Sequence, residues 1–299
     1  MIVHSESITI VTVSDDQYCV MLAALLKSIE INMIYSASVN VYIVDDGISA
    51  VNKIKLKASI NSPVSLTFIN LNEVVKERSS LPLDSSSFPL NVYIRLFIPY
   101  FIPVEIARVI YLDVDMIVKR DLLELWNLDL QGKVVAAVTD RCETIGSSWG
   151  GIRNYEALQL NPEAKYFNSG LLVIDVEAWR NSNYTNEILD CISENKAYAN
   201  FPDQYGLNVV LSGNWLELDQ RWNTFAPLAV SDPFIIHFIG IKPIFASYNF
   251  NTIYKDEFFN YLKLTKWDDF KILSNRNRLF KKFKNLLVKK FLVLFRRKV

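Results

Sequence analysis

The stretch "VIYLDVDMIV", Val109 to Val118, sets the problem that the rest of the chain has to solve. Its nearly continuous run of Val, Ile and Leu reads as a strand covered on both faces. Two carboxylates, Asp113 and Asp115, interrupt it with no cation nearby in sequence. An unpartnered buried carboxylate is costly, so something must hold them. In extended chain, residues two apart point the same way, and both acids then reach one place beyond the strand end. Paired carboxylate oxygens are what a hard divalent cation prefers, and a cation offsets their mutual repulsion.

Strand-like and helix-like patterns alternate outward from that stretch. "ITIVTVS" (Ile8–Ser14), a helical stretch near Tyr18–Asn32 and "VNVYIVDD" (Val39–Asp46) come first. A second helical segment, Ser49–Ile60, leads to "VSLTFINL" (Val64–Leu71). This β-α-β-α-β order predicts an α/β fold with a mostly parallel sheet flanked by helices. A Ser- and Pro-containing loop (Ser79–Pro89) and a short helix around Val92–Tyr100 precede the Asp-Val-Asp strand. "KVVAAVTD" (Lys133–Asp140) reads as a further strand, and the Gly/Ser-rich loop Gly146–Gly151 is of the kind that often covers a site. "FNSGLLVIDVEAW" reads as strand into helix, "DQYGLNVVL" as a helix start, and "PFIIHFIGIKPIF" as a late strand breaking at Gly240.

Several classes are excluded at this level. No GxGxxG follows the first strand and no GxxxxGK[ST] occurs, so neither a dinucleotide fingerprint nor a P-loop is supported. Three cysteines (Cys19, Cys142, Cys191) without CxxC spacing argue against structural zinc and a disulfide framework. A reducing, cytoplasmic location is expected, with no signal peptide and no transmembrane helix. Acids gather at strand ends instead: Asp15 and Asp16, Asp45 and Asp46, Asp113 and Asp115, Asp140. In open α/β sheets ligands sit outside the carboxyl ends of the strands, so that edge suits a metal ion and hydroxyl-rich ligands.

The chain has only two histidines, His4 and His237, and His237 closes an apolar strand. Adding an imidazole to two carboxylates shifts metal preference from Mg2+ towards Mn2+. Gly240 permits close backbone approach to a ligand, and Lys242 offers a point charge for phosphate oxygens.

These segments, taken in order, resemble the family 8 retaining glycosyltransferases, which include bacterial lipooligosaccharide galactosyltransferases. "TVSDDQY" resembles the family's first strand and nucleotide loop, "NVYIRLFIP" its Tyr-x-Arg-Leu helix, and "RVIYLDVDMIV" its DxD strand. "YFNSGLLVIDVEAWR" resembles its Phe-Asn-(Ser/Ala)-Gly strand, "PDQYGLN" its Asp-Gln helix start, and "HFIGIKP" its His-x-x-Gly-x-x-Lys-Pro-Trp segment. The resemblance covers about Ile8 to Tyr248. It implies a GT-A, Rossmann-like catalytic domain over residues 1–250 that binds a UDP-hexose with manganese. Asp113, Asp115 and His237 would ligate the metal, with Mg2+ as the other candidate ion. Lys242 and Gly240 would contact the diphosphate, and Asp15, Gln17 and Tyr18 the uridine. Arg95, Asp140, Asn168, Asp203 and Gln204 would surround the donor sugar, with Asp203 and Gln204 as the catalytic pair.

The His segment departs from the pattern: it is one residue shorter, and Ile244 stands where the family has Trp. Tyr205 occupies a position where some members carry a carboxylate, which rules out a covalent intermediate there and favours front-face attack with Gln204 stabilising the oxocarbenium-like state. Two other classes fit less well. A nucleotidyltransferase would carry a Gly- and Lys-rich loop where "SDDQY" stands, and a non-catalytic sugar-nucleotide-binding module would be free to lose the Asp-Asp-His set.

The formal net charge of zero conceals a basic tail. "RNRLFKKFKNLLVKKFLVLFRRKV" (276–299) holds ten Lys or Arg and no acid, which leaves 22 basic against 32 acidic side chains elsewhere. On a helical wheel Phe280, Phe283, Leu287, Phe291 and Leu294 share one face, opposite Lys281, Lys282, Asn285 and Lys289, while Lys284 and Lys290 border the stripe. A helical extension over 251–299 that lies on an anionic membrane, on the inner face, is the expectation. Its Phe and Leu density disfavours nucleic acid as a partner. A lipid-linked saccharide acceptor, such as lipopolysaccharide core, would suit such a tail.

Overall fold

The stretch Val109–Val118 is two strands rather than one. The computed structural model describes residues 7–33, 38–75, 81–82, 89–228 and 230–296, with side chains to residue 292. Most of the loop Ser79–Pro89 and the side chain of Leu294 lie outside the described residues. The strands are β1 (Ile8–Ser14), β2 (Val39–Asp45), β3 (Val64–Asn70), β4 (Arg108–Leu112), β5 (Met116–Val118), β6 (Val135–Thr144), β7 (Lys165–Asp175), β8 (Trp215–Glu217), β9 (Thr224–Phe225) and β10 (Ile235–His237). Asp113, Val114 and Asp115 occupy the break between β4 and β5. A carboxylate cannot replace the apolar contacts of a covered strand, so the chain leaves the sheet at the acids and resumes at Met116. The acids therefore reach their partners from a turn, not from the pleat of one strand.

The chain divides into two compact units, Met1–Leu71 with Arg108–Asp129 and Asp219–Arg278, and Asn72–Ala107 with Leu130–Leu218 and Leu279–Val299. The first holds parallel strands in the order β3-β2-β1-β4. Every residue of β1 is buried, as a strand covered on both faces requires. The expected first helix begins with a 3-10 turn, Asp16–Tyr18, and continues as an α-helix over Cys19–Asn32. Ser28 of that helix, fully buried, accepts from Val118 N at 2.9 Å and so ties β5 to the helix. The next helix spans Ala50–Ser59, with Ser49 as its N-cap. A separate three-stranded sheet, β5-β10-β9, pairs His237 with Met116. β10 ends at His237, three residues before Gly240. Phe238 N makes the last in-register bond, to Asp115 O at 2.9 Å; the chain then turns where Ile239 N donates to His237 O at 2.9 Å, and Gly240 takes φ +71°.

In the second unit β6 pairs antiparallel with β7 and parallel with β8. The expected short helix is mostly 3-10, Leu90–Phe97, followed by one α-turn, Ile98–Phe101. Arg180 holds the segment after it: its guanidinium donates to the carbonyls of Pro99, Ile102, Pro103, Val104 and Ile106 at 2.7–3.2 Å. The helix Pro202–Val210 rests on Tyr184–Glu194 through Gly206. A Cβ there would lie 2.7 Å from Ile192 Cγ1 and 2.8 Å from Ile188 Cγ2, so glycine is needed for the close approach rather than for a turn.

Replacing Gly206 with Val should therefore overpack this contact and cost about 1–3 kcal/mol of stability. Thermal unfolding followed by circular dichroism should show a midpoint lowered by several degrees. An unchanged midpoint would mean that the two helices separate freely.

Candidate active site

Two clusters of polar side chains stand out, one in each unit. The first collects at the end of β4. Asp113 Oδ2 lies 3.8 Å from His237 Nε2, and Asp115 Oδ1 lies 3.4 Å from the same atom. One ligand atom from each of the three residues falls within 4.8 Å of the others. Asp115 and His237 are buried and Asp113 is half-exposed, so the cluster opens through Asp113. Tyr111 donates to Asp113 Oδ1 at 2.8 Å and fixes that carboxylate.

Asn223, on the 3-10 turn before β9, places its Oδ1 2.9 Å from His237 Nδ1. An amide oxygen only accepts, so Nδ1 carries the proton and Nε2 faces the two carboxylates. Protonated, Nε2 donates to them; deprotonated, it offers its lone pair to a cation that they share. Two carboxylate oxygens and one imidazole nitrogen are an apt donor set for a divalent cation of borderline character.

Lys242 lies against Asp115 rather than reaching away from it: its ammonium bonds Asp115 Oδ2 and also donates to Phe238 O at 2.7 Å. Burial raises the Asp115 carboxyl, but the neighbouring charges of Lys242 and His237 override it and hold the group below the usual carboxylate range. Burial, with the Asp115 and Asp15 charges, raises the Tyr18 phenol, which places this ring within the field of the same cluster. Asp15 caps the 3-10 turn by accepting from Tyr18 N at 3.0 Å, and Gln17 follows half-buried in that turn. Gly240 needs its left-handed backbone, while a Cβ would meet only the Phe250 ring at 3.7 Å.

The second cluster joins β6, β7 and two helical segments. Arg95, buried on the 3-10 helix, places Nε 3.2 Å from Asp203 Oδ2 and donates through Nη1 to Ser169 O. Ser169 Oγ donates to the same Asp203 oxygen at 3.1 Å. Gln204 Oε1 accepts from Asn168 Nδ2 and Ser169 N, both at 3.1 Å. Asp140 Oδ2 accepts from Asn168 at 2.8 Å and from Gln204 Nε2 at 3.3 Å. Arg95, Asp140, Asn168, Asp203 and Gln204 are thus one hydrogen-bonded network.

Sequence reasoning missed several supporting groups. Asn208 pins helix to strand by bonding Phe167 N and O and Gln204 O at 2.8–2.9 Å. Asn208, Asn223, Ser169 and Tyr111 carry no distinguishing spacing. Only the register "Asp203, Gln204, Asn208" along one helix face could have suggested Asn208.

Parallel strands with acids at their carboxyl ends and a carboxylate-imidazole cluster are the features expected of a GT-A fold. The chain matches glycosyl transferase family 8 over residues 9–243 and belongs to that family. General stress protein A of Bacillus subtilis (strain 168) is 32% identical, over 88% of this chain and 96% of its own length. Lipopolysaccharide 1,2-glucosyltransferase of Escherichia coli (strain K12) is 31% identical over 44% of this chain and 38% of its own. The crystal structure of galactosyltransferase LgtC in complex with donor and acceptor sugar analogs superimposes with TM-score 0.72 at 21% identity, covering 88% of this chain and 99% of that one. The GT-A fold expected from sequence is therefore the fold observed.

Because Asn223 bonds His237 Nδ1 from behind, Asn223→Ala should weaken the binding of a divalent cation at this cluster by about 10–100-fold. Titration of Mn2+ followed by electron paramagnetic resonance reads this without requiring turnover. Unchanged affinity would remove Asn223, and the tautomer argument, from the site.

Proposed function

We propose that this protein is a retaining α-glycosyltransferase that moves a hexose, glucose or galactose, from a UDP-sugar to a lipid-linked or cell-surface glycan such as lipopolysaccharide core. The observation that carries the reading is the Asp113, Asp115 and His237 cluster with Asn223 behind the imidazole. These three side chains would hold Mn2+, which when bound would stabilise negative charge on the departing diphosphate. Lys242 would add a positive charge for the phosphates on moving off Asp115. Tyr18, Asp15 and Gln17 would contact the uridine.

Arg95, Asp140 and Asn168 would bind the sugar hydroxyls, since they offer both donors and acceptors. Asp203 is already paired with Arg95 and Ser169, which suits it to positioning rather than to attack. Gln204 is a neutral amide held at both ends, suited to stabilising developing positive charge through its oxygen. Front-face attack, with an oxygen of the leaving UDP taking the acceptor proton, follows from that division of roles.

A panel of UDP-sugars scored for Mn2+-dependent hydrolysis tests the donor without knowledge of the acceptor. One UDP-hexose should turn over, and Asp113→Ala should lower the rate by about 10^3-fold or more. Persistent activity in Asp113→Ala would defeat the assignment, and a glycosyl adduct on the protein by intact mass would defeat front-face attack.

The C-terminal helix, Asn275–Arg296, supports membrane association. Phe280, Phe283, Leu287 and Phe291 are exposed along one side, Phe280 by 70%, whereas Lys289 is buried. The apolar stripe is thus presented outward, as an interfacial helix requires. Among the described residues no helix is long and apolar enough to cross a membrane. Removal of 276–299 should abolish flotation with liposomes containing anionic lipid, each nearby Lys or Arg contributing about 1 kcal/mol. Equal flotation of the truncated protein would dismiss the tail as an anchor.

A further inference from the structure

The loop after β6 absorbs several unusual backbone features and serves no purpose in the site as described above. It starts at Ile145, after a strand end in which Asp140 Oδ1 accepts from Cys142 N at 3.4 Å. The register of β6 with β7 breaks between Thr139 and Thr144, which releases the strand into this loop. Its backbone is then fastened at Ile145 N to Ala164 O, Gly146 N to Pro162 O and Ile152 N to Ile145 O, each at 2.8 Å. Ser147 Oγ donates to Cys142 O.

Three glycines make this folding feasible. A Cβ on Gly146 would meet Pro162 Cβ at 2.6 Å, and one on Gly151 would meet the Ile145 and Ser147 carbonyl oxygens at 2.5 Å. Gly150 takes φ +81°, with the site of its missing Cβ 3.1 Å from Cys142 Cβ. The result presents one large side chain, Trp149, which is 57% exposed although its neighbour Ile145 is fully buried. The Arg141 guanidinium lies 4.8 Å from the indole centroid. A cation at that distance holds the ring by its quadrupole and fixes its orientation.

A rigid, solvent-exposed indole beside a polar network is what a pyranose ring needs from a binding surface. The axial C–H groups of a sugar carry partial positive charge and pack on the negative face of an aromatic ring, while hydroxyls at the rim bond to polar side chains. A ring already fixed by Arg141 loses little freedom when the sugar arrives. Gly150, the residue after Trp149, packs against Cys142, which lies two residues from Asp140 along β6, roughly 7 Å in extended chain and within the span of a disaccharide.

We propose that Trp149, backed by Arg141, is the stacking platform for a ring of the acceptor saccharide, next to Asp140. The proposal rests on the glycosyltransfer reading and names its acceptor contact: a pyranose with one largely apolar face. A nucleoside base could in principle stack on the same ring, so UDP is the control.

The full chain labelled with 5-fluorotryptophan gives six tryptophan signals, and the Trp149 signal is the one lost in Trp149→Phe. Titration with lactose, maltose and cellobiose, with and without UDP, should shift that signal saturably for at least one disaccharide. In turnover with that disaccharide and the UDP-hexose found in the donor panel, Trp149→Ala should raise the acceptor KM about tenfold with kcat changed less than about twofold, and Trp149→Phe should restore most of the loss. Movement of the signal with UDP alone, no movement with any disaccharide, or a fall in kcat at unchanged KM would each overturn the platform. Donor hydrolysis by the unsubstituted protein separates the two ideas. Hydrolysis with an unmoved Trp149 signal overturns the platform alone, whereas failure to hydrolyse any UDP-sugar overturns the glycosyltransfer reading and the platform with it.

Discussion

A buried carboxylate is the constraint on which the first unit is organised. Asp115 is almost fully buried, and its charge survives only because Lys242 and His237 stand beside it. An isolated charge in that position would be neutralised instead. Both partners come from the segment at the end of β10, far from Asp115 in the chain, so satisfying Asp115 dictates much local structure. β5 must turn away from β4, β10 must end at His237, and Phe238 must bond the Asp115 carbonyl before the chain reaches Lys242. Asp113 and Asp115 bring two carboxylates to His237 Nε2, the donor set that a divalent cation takes.

The second unit is organised around a different buried charge. Asp203 and Arg95 form an interior ion pair, with Ser169 adding a hydrogen bond and Val92 O occupying the remaining side of the Arg95 Nε. Such pairs contribute little net stability, because desolvation offsets the attraction, but their geometry is exacting. Here the pair aligns the 3-10 helix of Arg95 with the helix of Gln204, and Gly206 and Asn208 hold that second helix at its required depth. A loss at Gly206 is thus felt at Gln204 through packing rather than through chemistry.

The alternation of strands and helices, the DxD pair and His237 were legible in the sequence for definable reasons. Continuous apolar runs can only be covered strands, and acids or a rare histidine at their ends have few structural uses. The two acids of the second cluster, Asp140 and Asp203, were singled out only through family resemblance, since each alone passes for a loop or first-turn acid. Asn223 and Asn208 were illegible, because an asparagine acts through whichever group tertiary folding brings to it. The break inside Val109–Val118 was misread because apolar content suggests an uninterrupted strand, whereas the cost of burying two carboxylates decides otherwise. The end of β10 was misread by three residues because Gly240 is the visible breaker, whereas the chain already turns where Ile239 N donates to His237 O.

The polar network also bears on how a sugar could be transferred with retention. A carboxylate nucleophile needs an exposed lone pair and little competing positive charge. Asp203 has neither, because Arg95 and Ser169 converge on its Oδ2. Asp140 has its Oδ2 occupied by Asn168 and Gln204 and its Oδ1 turned to Cys142 N. Gln204 cannot form a stable ester, and its oxygen is oriented by two N–H donors, one of them the backbone of Ser169. Every carboxylate in the network is therefore engaged in holding another group. That favours a transfer in which these side chains orient the sugar and stabilise its positive charge, leaving bond formation to the acceptor itself.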